Sequence, residues 1–239
     1  MINNIVIVGA SGAIGSSFTL QLSVSYPNAT IHAFSQQQPE KVLPNVTYHQ
    51  INYRDETSIE ESALIASKDA KLDMVIVATG ILHDGALLPE KSLKELSAEK
   101  FHLLFEANTI LPSLIAKHFL PKLNRDSQSI FAALSARVGS ISDNYLGGWY
   151  AYRASKAALN MIIKNAAIEI GRSNKKTIIV GLHPGTVDSN LSSPFQGSIP
   201  DRKLFTPEYS VQKLLQVLTT LTSEQSGKCF AWDGTEVKP

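Results

Sequence analysis

Ile5-Val6-Ile7-Val8 is an unbroken apolar run rich in β-branched side chains, and Gly9-Ala10-Ser11-Gly12-Ala13-Ile14-Gly15 follows it at once. A helical pattern then carries Phe18, Leu20, Leu22 and Val24 to a stop at Tyr26-Pro27-Asn28. A run that is apolar throughout suits a strand buried on both faces of a parallel sheet. Glycines between such a strand and a helix let the backbone approach a ligand closely. The helix N-terminus behind them favours a negative charge. Strand, glycine turn and helix in this order form the phosphate-binding unit of dinucleotide folds.

The rest of the chain keeps the same rhythm. Strands read at Thr30 to Phe34, Val46 to Ile51, Leu72 to Ala78, Ser129 to Leu134, Thr177 to Leu182 and from Phe230 to a turn at Gly234. Long helices read from Phe101 to Leu123, Ala151 to Ile170 and Glu208 to Leu221, and Asp55 reads as a helix N-cap. The 239 residues suffice for one large domain, and no linker or repeat divides them. The expected fold is a single Rossmann-like α/β domain over residues 1–239, with a doubly wound parallel sheet of about seven strands and helices on both faces. A net charge of +1 gives no electrostatic case for nucleic acid or an anionic membrane as main partner. The single cysteine, Cys229, excludes an internal disulfide and reads as a small buried hydrophobe. The start Met1-Ile2-Asn3-Asn4 has no basic n-region, and no apolar stretch approaches the ~18 residues needed to span a bilayer. A cytoplasmic protein is expected.

Tyr152 and Lys156 lie four apart in a helical stretch, one turn from each other on the same face. An ammonium beside a phenol favours the phenolate, which predicts a lowered Tyr152 pKa and a group able to pass a proton near neutral pH.

Tyr152-Arg153-Ala154-Ser155-Lys156 resembles the Tyr-x-Ala-Ser-Lys signature of the short-chain dehydrogenase/reductase family. The glycine turn resembles that family's Thr-Gly-x-x-x-Gly-x-Gly, with Val8 in place of Thr and Ala13 in place of the middle Gly. The resulting Gly9, Gly12, Gly15 spacing is also seen in the family's extended branch. The resemblance implies cofactor contacts from this turn, including Ser11 and Ile14. At the end of the second strand, Ser35 stands where an acid would select NAD, so NADP is expected over NAD. Gly12 occupies a spot where many NADP-preferring relatives carry Lys or Arg. Asn52 replaces the family's adenine-contacting Asp, with Tyr53 beside it, and Ala78-Thr79-Gly80 resembles its Asn-Ala-Gly.

Glu106-Ala107-Asn108-Thr109-Ile110-Leu111-Pro112 resembles the stretch that carries the family's catalytic Asn, which implies that role for Asn108. Pro112 predicts a local kink. In Ser135-Ala136-Arg137-Val138-Gly139-Ser140, Ala136 occupies the place of the usual carbonyl-polarising Ser. Ser135 is the preferred substitute, and Ser140, across the turn, is the rival. Gly139 to Asn144 and Gly147 to Asn160 look more narrowly like the sniffer and C-factor subgroup of carbonyl-reductase-like proteins. His183-Pro184-Gly185-Thr186-Val187-Asp188-Ser189 resembles the family's Pro-Gly-x-Val-x-Thr, which implies nicotinamide contacts from Pro184, Gly185 and Val187. His183, before a proline, reads as structural. The loop from Asn190 to Phe205 matches the family's substrate lid.

The resemblance implies reversible hydride transfer between NADP(H) and a small carbonyl or alcohol. Tyr152 would be the acid, Lys156 would tune it and hold ribose, Ser135 would bind the carbonyl oxygen, and Asn108 would help relay protons. It also implies a homodimer or homotetramer through the Phe101 to Leu123 and Ala151 to Ile170 helices. A C-factor-like nucleotide-binding signalling protein with weak or no turnover is the alternative.

Overall fold

The computed structural model describes residues 2–37, 42–85, 87–198 and 204–239. The chain opens with β1 (Asn4–Val8), α1 (Ala13–Ser25), β2 (Thr30–Ser35), β3 (Val46–Gln50), α2 (Glu56–Ala66) and β4 (Met74–Val77). After β4 come α3 (Ala98–Phe105), α4 (Leu111–Phe119), β5 (Ser129–Leu134), α5 (Tyr150–Gly171) and β6 (Thr177–His183). A small pair, β7 (Thr186–Val187) and β8 (Leu204–Phe205), precedes α6 (Pro207–Thr220), β9 (Cys229–Ala231) and β10 (Glu236–Val237).

The main sheet runs β10-β9-β6-β5-β4-β1-β2-β3. Every neighbouring pair is parallel except β9 with β10. Strand order reverses between β1 and β4, and a crevice opens outside the carboxyl ends of strands at such a reversal. Among the described residues the sheet has eight strands where about seven were expected. The eighth follows the Asp233-Gly234 turn, where Asp233 Oδ1 accepts from the Thr235 N–H and hydroxyl. Two residues are too few to show an alternating pattern.

Alternation along each strand divides the core in two. Ile5, Ile7, Ile130, Ala132, Ile178 and Val180 pack against Phe18 and Leu22 of α1 and Val211, Leu214 and Leu218 of α6. Val6, Val8, Phe131, Ala133 and Ile179 face Ile59 of α2, Ile115 and Phe119 of α4, and Leu159 and Ile163 of α5. Both faces are covered, which is why these strands read as continuous apolar runs. Each fully buried Phe or Ile side chain contributes about 1.5–3 kcal/mol.

The expected Phe101 to Leu123 helix is interrupted. Between α3 and α4, Glu106–Ile110 forms one π-helical turn, in which the Leu111 N–H reaches back to the Glu106 carbonyl. Pro112 has no N–H to give the Asn108 carbonyl, so regular α-helical bonding cannot continue there. The kink predicted from Pro112 takes this form. Asp55 caps α2 as expected, its side chain accepting from the Thr57 N–H. Among the described residues no helix is long and apolar enough to cross a membrane.

Candidate active site

The crevice at the β1/β4 reversal is lined first by backbone. Gly9 has φ 91°, and its N–H and that of Ala10 both donate to the Phe34 carbonyl. A Cβ on Gly9 would lie 2.9 Å from the Ala78 carbonyl carbon, and one on Gly15 would lie 2.0 Å from the Gly9 oxygen. Both positions therefore require glycine. Gly12 is the N-cap of α1 with no capping side chain, and the first turn carries no acid. Ser11 and Gly12 are exposed, with Ala13 and Ile14 half-buried behind them. Among the described residues the start of α1 thus has no side-chain cap.

The end of the crevice beside β2 and β3 is polar. Ser35 is buried and its hydroxyl donates to the Gln37 carbonyl at 2.5 Å. Exposed Asn52 accepts the Arg54 N–H on Oδ1. Burial pushes the Tyr53 hydroxyl up to about 12, and the hydroxyl lies against the Gly9 backbone. Across the crevice, the Ala78 N–H donates to the Val8 carbonyl. The buried Thr79 Oγ1 has no hydrogen-bond partner among the described residues. A Cβ on Gly80 would lie 3.2 Å from Asn108 Oδ1 and 3.4 Å from Lys156 Nζ. Gly80 therefore sits in the angle between two of the expected catalytic side chains.

Asn108 is held from both ends of its amide. Oδ1 accepts the Ile81 N–H at 2.9 Å, and Nδ2 donates to the Ile81 carbonyl at 2.8 Å and to Ser155 Oγ at 3.3 Å. Thr109 Oγ1 donates to the Ser155 carbonyl, so the π-helical turn docks onto α5 beside Tyr152. Lys156 Nζ donates to the Leu134 carbonyl at 2.9 Å and lies 6.0 Å from the Tyr152 ring centre. Burial pulls Lys156 down to about 8. Burial also pushes Tyr152 up to about 12, opposite to the lowering predicted from the pair's spacing. Desolvation outweighs the charge of an ammonium that burial itself weakens.

Ser135 and Ser140 are both buried. Ser135 Oγ donates to Asn160 Oδ1 at 2.7 Å, two helical turns beyond Tyr152 on α5. Ser140 Oγ accepts the Asp143 N–H at 3.1 Å. Beyond β6, Pro184 gives its carbonyl to the Ser210 hydroxyl. Gly185 (φ 78°) approaches Phe205 so closely that a Cβ would lie 2.6 Å from the ring. Val187 is buried on β7, whose register pairs it with Phe205. His183 is half-buried at the end of β6 and pushed down to about 4, chiefly by burial. Residues 199–203 of the expected lid lie outside the described residues.

A model of the short chain dehydrogenase family matches residues 3–198. The chain belongs to this family. Among curated relatives of this short-chain dehydrogenase, the 1-hydroxy-2-glutathionyl-2-methyl-3-butene dehydrogenase of Rhodococcus sp. (strain AD45) is 30% identical over 189 residues, 77% of this chain and 76% of the relative. The C-signal protein of Myxococcus xanthus is 35% identical over 133 residues, 56% of this chain and 75% of the relative. Among solved structures, the NADPH-bound carbonyl reductase from chicken fatty liver superposes with a TM-score of 0.85 at 24% identity, covering 100% of this chain and 94% of that one. Carbonyl reductase Sniffer of D. melanogaster gives 0.85 at 22% identity with full coverage of both chains. These likenesses establish the fold, and the family match establishes an oxidoreductase.

The family uses NAD(P), and this short-chain dehydrogenase has a cradle that fits such a dinucleotide. The start of α1 is open, the buried Thr79 hydroxyl is unmatched, and Gly80 leaves the space a Cβ would fill. Sequence reading gave no role to the apolar wall around Tyr152. Leu82, Leu104 and Ala151 pack with Tyr152, and Trp149, Val138 and Phe195 join them. The Trp149 ring stands edge-on to Tyr152 at 6.2 Å and tilted to Phe195 at 5.2 Å. The available signal was a large aromatic directly after Gly147-Gly148 and three residues before the tyrosine. A cavity of about 1020 Å³ between α1 and α6 includes Met74 and Ile130 at the amino ends of β4 and β5, away from this chemistry.

Proposed function

We propose that the protein reduces a small carbonyl compound, or oxidises the corresponding alcohol, with NADP(H), using Tyr152 as acid and base. The observation that carries this reading is the convergence of Asn108, Lys156 and Gly80 at the crevice, one helical turn from Tyr152. When bound, the dinucleotide supplies or accepts the hydride. Tyr152, held near 12 by burial, keeps its proton throughout the neutral range and gives it to the developing alkoxide. Lys156 is still mostly protonated at pH 7, and its charge lowers the cost of the phenolate as that forms. Its ammonium and Asn108 border the space in front of Gly80, where the ribose would lie and protons would be relayed. The Gly9 to Gly15 turn and Ala78 to Gly80 bind the pyrophosphate and adenosine side; Pro184, Gly185 and Val187 bind the nicotinamide side.

The second partner of the carbonyl oxygen is assigned to Ser135, with Ser140 as rival. Ser135 has to turn its hydroxyl proton away from Asn160 Oδ1, whereas Ser140 accepts the Asp143 N–H and keeps its own proton to donate. Paired alanine substitutions decide, the larger loss of kcat marking the partner. NADP is favoured over NAD because no acid ends β2. NADPH should bind more tightly than NADH in parallel titrations, and equal affinities would refute this. Ile110, Met161 and Ile168 leave apolar surface exposed along the α3–α4 segment and α5, supporting a homodimer or tetramer. A monomer in light scattering at micromolar concentration would contradict it.

Ala136, in the place of the usual serine, and the likeness to C-signal favour a second reading, a nucleotide-binding signalling protein with little turnover. The intact Tyr152 and Lys156 favour the enzyme. A panel of aldehydes and ketones with NADPH separates the two: turnover abolished by Tyr152→Phe supports the enzyme, and tight NADPH binding without turnover supports the signalling protein.

A further inference from the structure

α5 carries the proposed acid, yet nothing in its own first turn caps it. No side chain at Trp149 closes the helix, and the turn contains no acid. The residues leading in are left-handed: Gly147, Gly148 and Trp149 all have positive φ (64°, 64° and 51°), which the two glycines adopt freely and Trp149 does not. A bulky residue stays in the left-handed region only where its surroundings hold it there.

The holding groups come from Glu90, far away in sequence and 1% exposed. Its backbone carbonyl accepts the Trp149 N–H at 2.5 Å, and its side-chain Oε2 accepts the Ala151 N–H at 3.3 Å. A helix start leaves four N–H donors open. Glu90 takes two of them, on either side of Tyr150. From the other side Arg153 Nε donates to the Gly148 carbonyl at 3.0 Å. Leu82 and Leu104, which line a small cavity together with Glu90, also pack against Ala151 and Tyr152. The Glu90 carboxyl therefore lies directly behind the turn from which both Trp149 and Tyr152 project.

We propose that Glu90 is the remote N-cap of α5 and a positioning residue for proton transfer, setting where the Tyr152 hydroxyl and the Trp149 ring meet the substrate. The proposal rests on the reading of Tyr152 as the acid. If the side chain is lost, the first turn of α5 can fray. The Tyr152 hydroxyl, at the far end of a long side chain, amplifies any tilt of that turn. Nucleotide affinity should change little, because the cradle around Gly9 and Gly15 does not use these bonds.

The test is steady-state kinetics with NADPH and a carbonyl compound that the wild-type protein reduces, paired with NADPH titration of each variant. Glu90→Ala should lower kcat by about 10- to 100-fold, as expected for a misplaced catalytic group, with NADPH affinity retained. Glu90→Gln keeps an oxygen within reach of Ala151 and should recover most of that loss. Glu90→Asp keeps the carboxyl but shortens its reach and should stay impaired. Should the alanine variant not fold, the order of Gln above Asp in kcat carries the test alone. Wild-type kcat in Glu90→Ala, Asp above Gln, or NADPH affinity falling in step with kcat overturns the proposal. The Tyr152→Phe control separates failures: if that variant turns over like wild type, the assignment of the acid falls, whatever Glu90 does.

Discussion

α1 and α5 both begin without a capping side chain from their own first turn, and the chain treats the two starts differently. At α1 the donors stay open, behind exposed Gly12 and Ser11. At α5 a buried glutamate reaches across and closes two of them. An open helix start costs stability unless an anion arrives to use it. A closed start gives up that binding capacity and gains a fixed direction for the side chains of the first turn. On the proposed function the contrast is a division of labour: one helix start is kept free to bind, and the other is fastened so that it can react.

The strongest way to break the comparison is to fill the space under the open start. Gly15→Ala puts a Cβ on the Gly9 oxygen, and NADPH binding in a fluorescence titration should disappear. Next in size, Tyr152→Phe removes the proton donor from the fastened helix. Carbonyl reduction should fall by at least the ~10²-fold typical of a lost general acid, with NADPH affinity retained. An alteration that makes α1 resemble α5 is smaller. A Cβ at Gly12 meets nothing closer than 3.5 Å, so Gly12→Asp should fit and cap the helix. Melting temperature should rise slightly, while NADPH affinity falls about tenfold because the new carboxylate competes with phosphate. A rise in both would show that α1 does not bind the anion.

Lys156→Met should act with opposite sign on stability and on activity. Lys156 sits near 8 in the folded protein, against an ordinary 10.5. Between those values the unfolded chain holds a proton that the folded one does not, so stability rises with pH across that window and is reduced below it. The methionine variant escapes this cost. At pH 7 it should melt a few degrees higher, reflecting a gain on the order of 1–2 kcal/mol. Its melting temperature should also lack the wild-type rise between pH 8 and 10.5, while turnover and nucleotide affinity drop. A methionine variant that melts lower would mean that the Nζ bond to Leu134 outweighs desolvation.

The sheet was legible because strands buried on both faces leave unbroken apolar runs, and Ile5 to Val8 and Ser129 to Leu134 appear where those runs are. Gly9 and Gly15 were legible because close backbone approach leaves glycine as the only solution. Spacing brought Tyr152 and Lys156 to one face of a helix but misled on the tyrosine's pKa, since burial depends on Leu82 and Leu104 from distant segments. Glu90 left no local mark, because its partners at Trp149 and Ala151 belong to another stretch of chain. The hydroxyl of Ser135 could not be aimed from sequence either, as Asn160 becomes its neighbour only once β5 and α5 pack.

The parallel sheet also governs how the molecule comes into being. Parallel neighbours cannot be joined by a tight turn, so each must wait for a crossover segment to be made and to fold back. β1 pairs with β4, whose residues are about seventy positions later, and β6 waits for β9 near the far end of the chain. Until then a growing chain carries unpaired strand edges, the surfaces most prone to sticking to other copies. Such topologies fold slowly because loop closure precedes its reward. The proposed cleft, drawing on residues from Gly9 to Val187, can only assemble late, and a nucleotide bound there would stabilise the fold only once most of the sheet already exists.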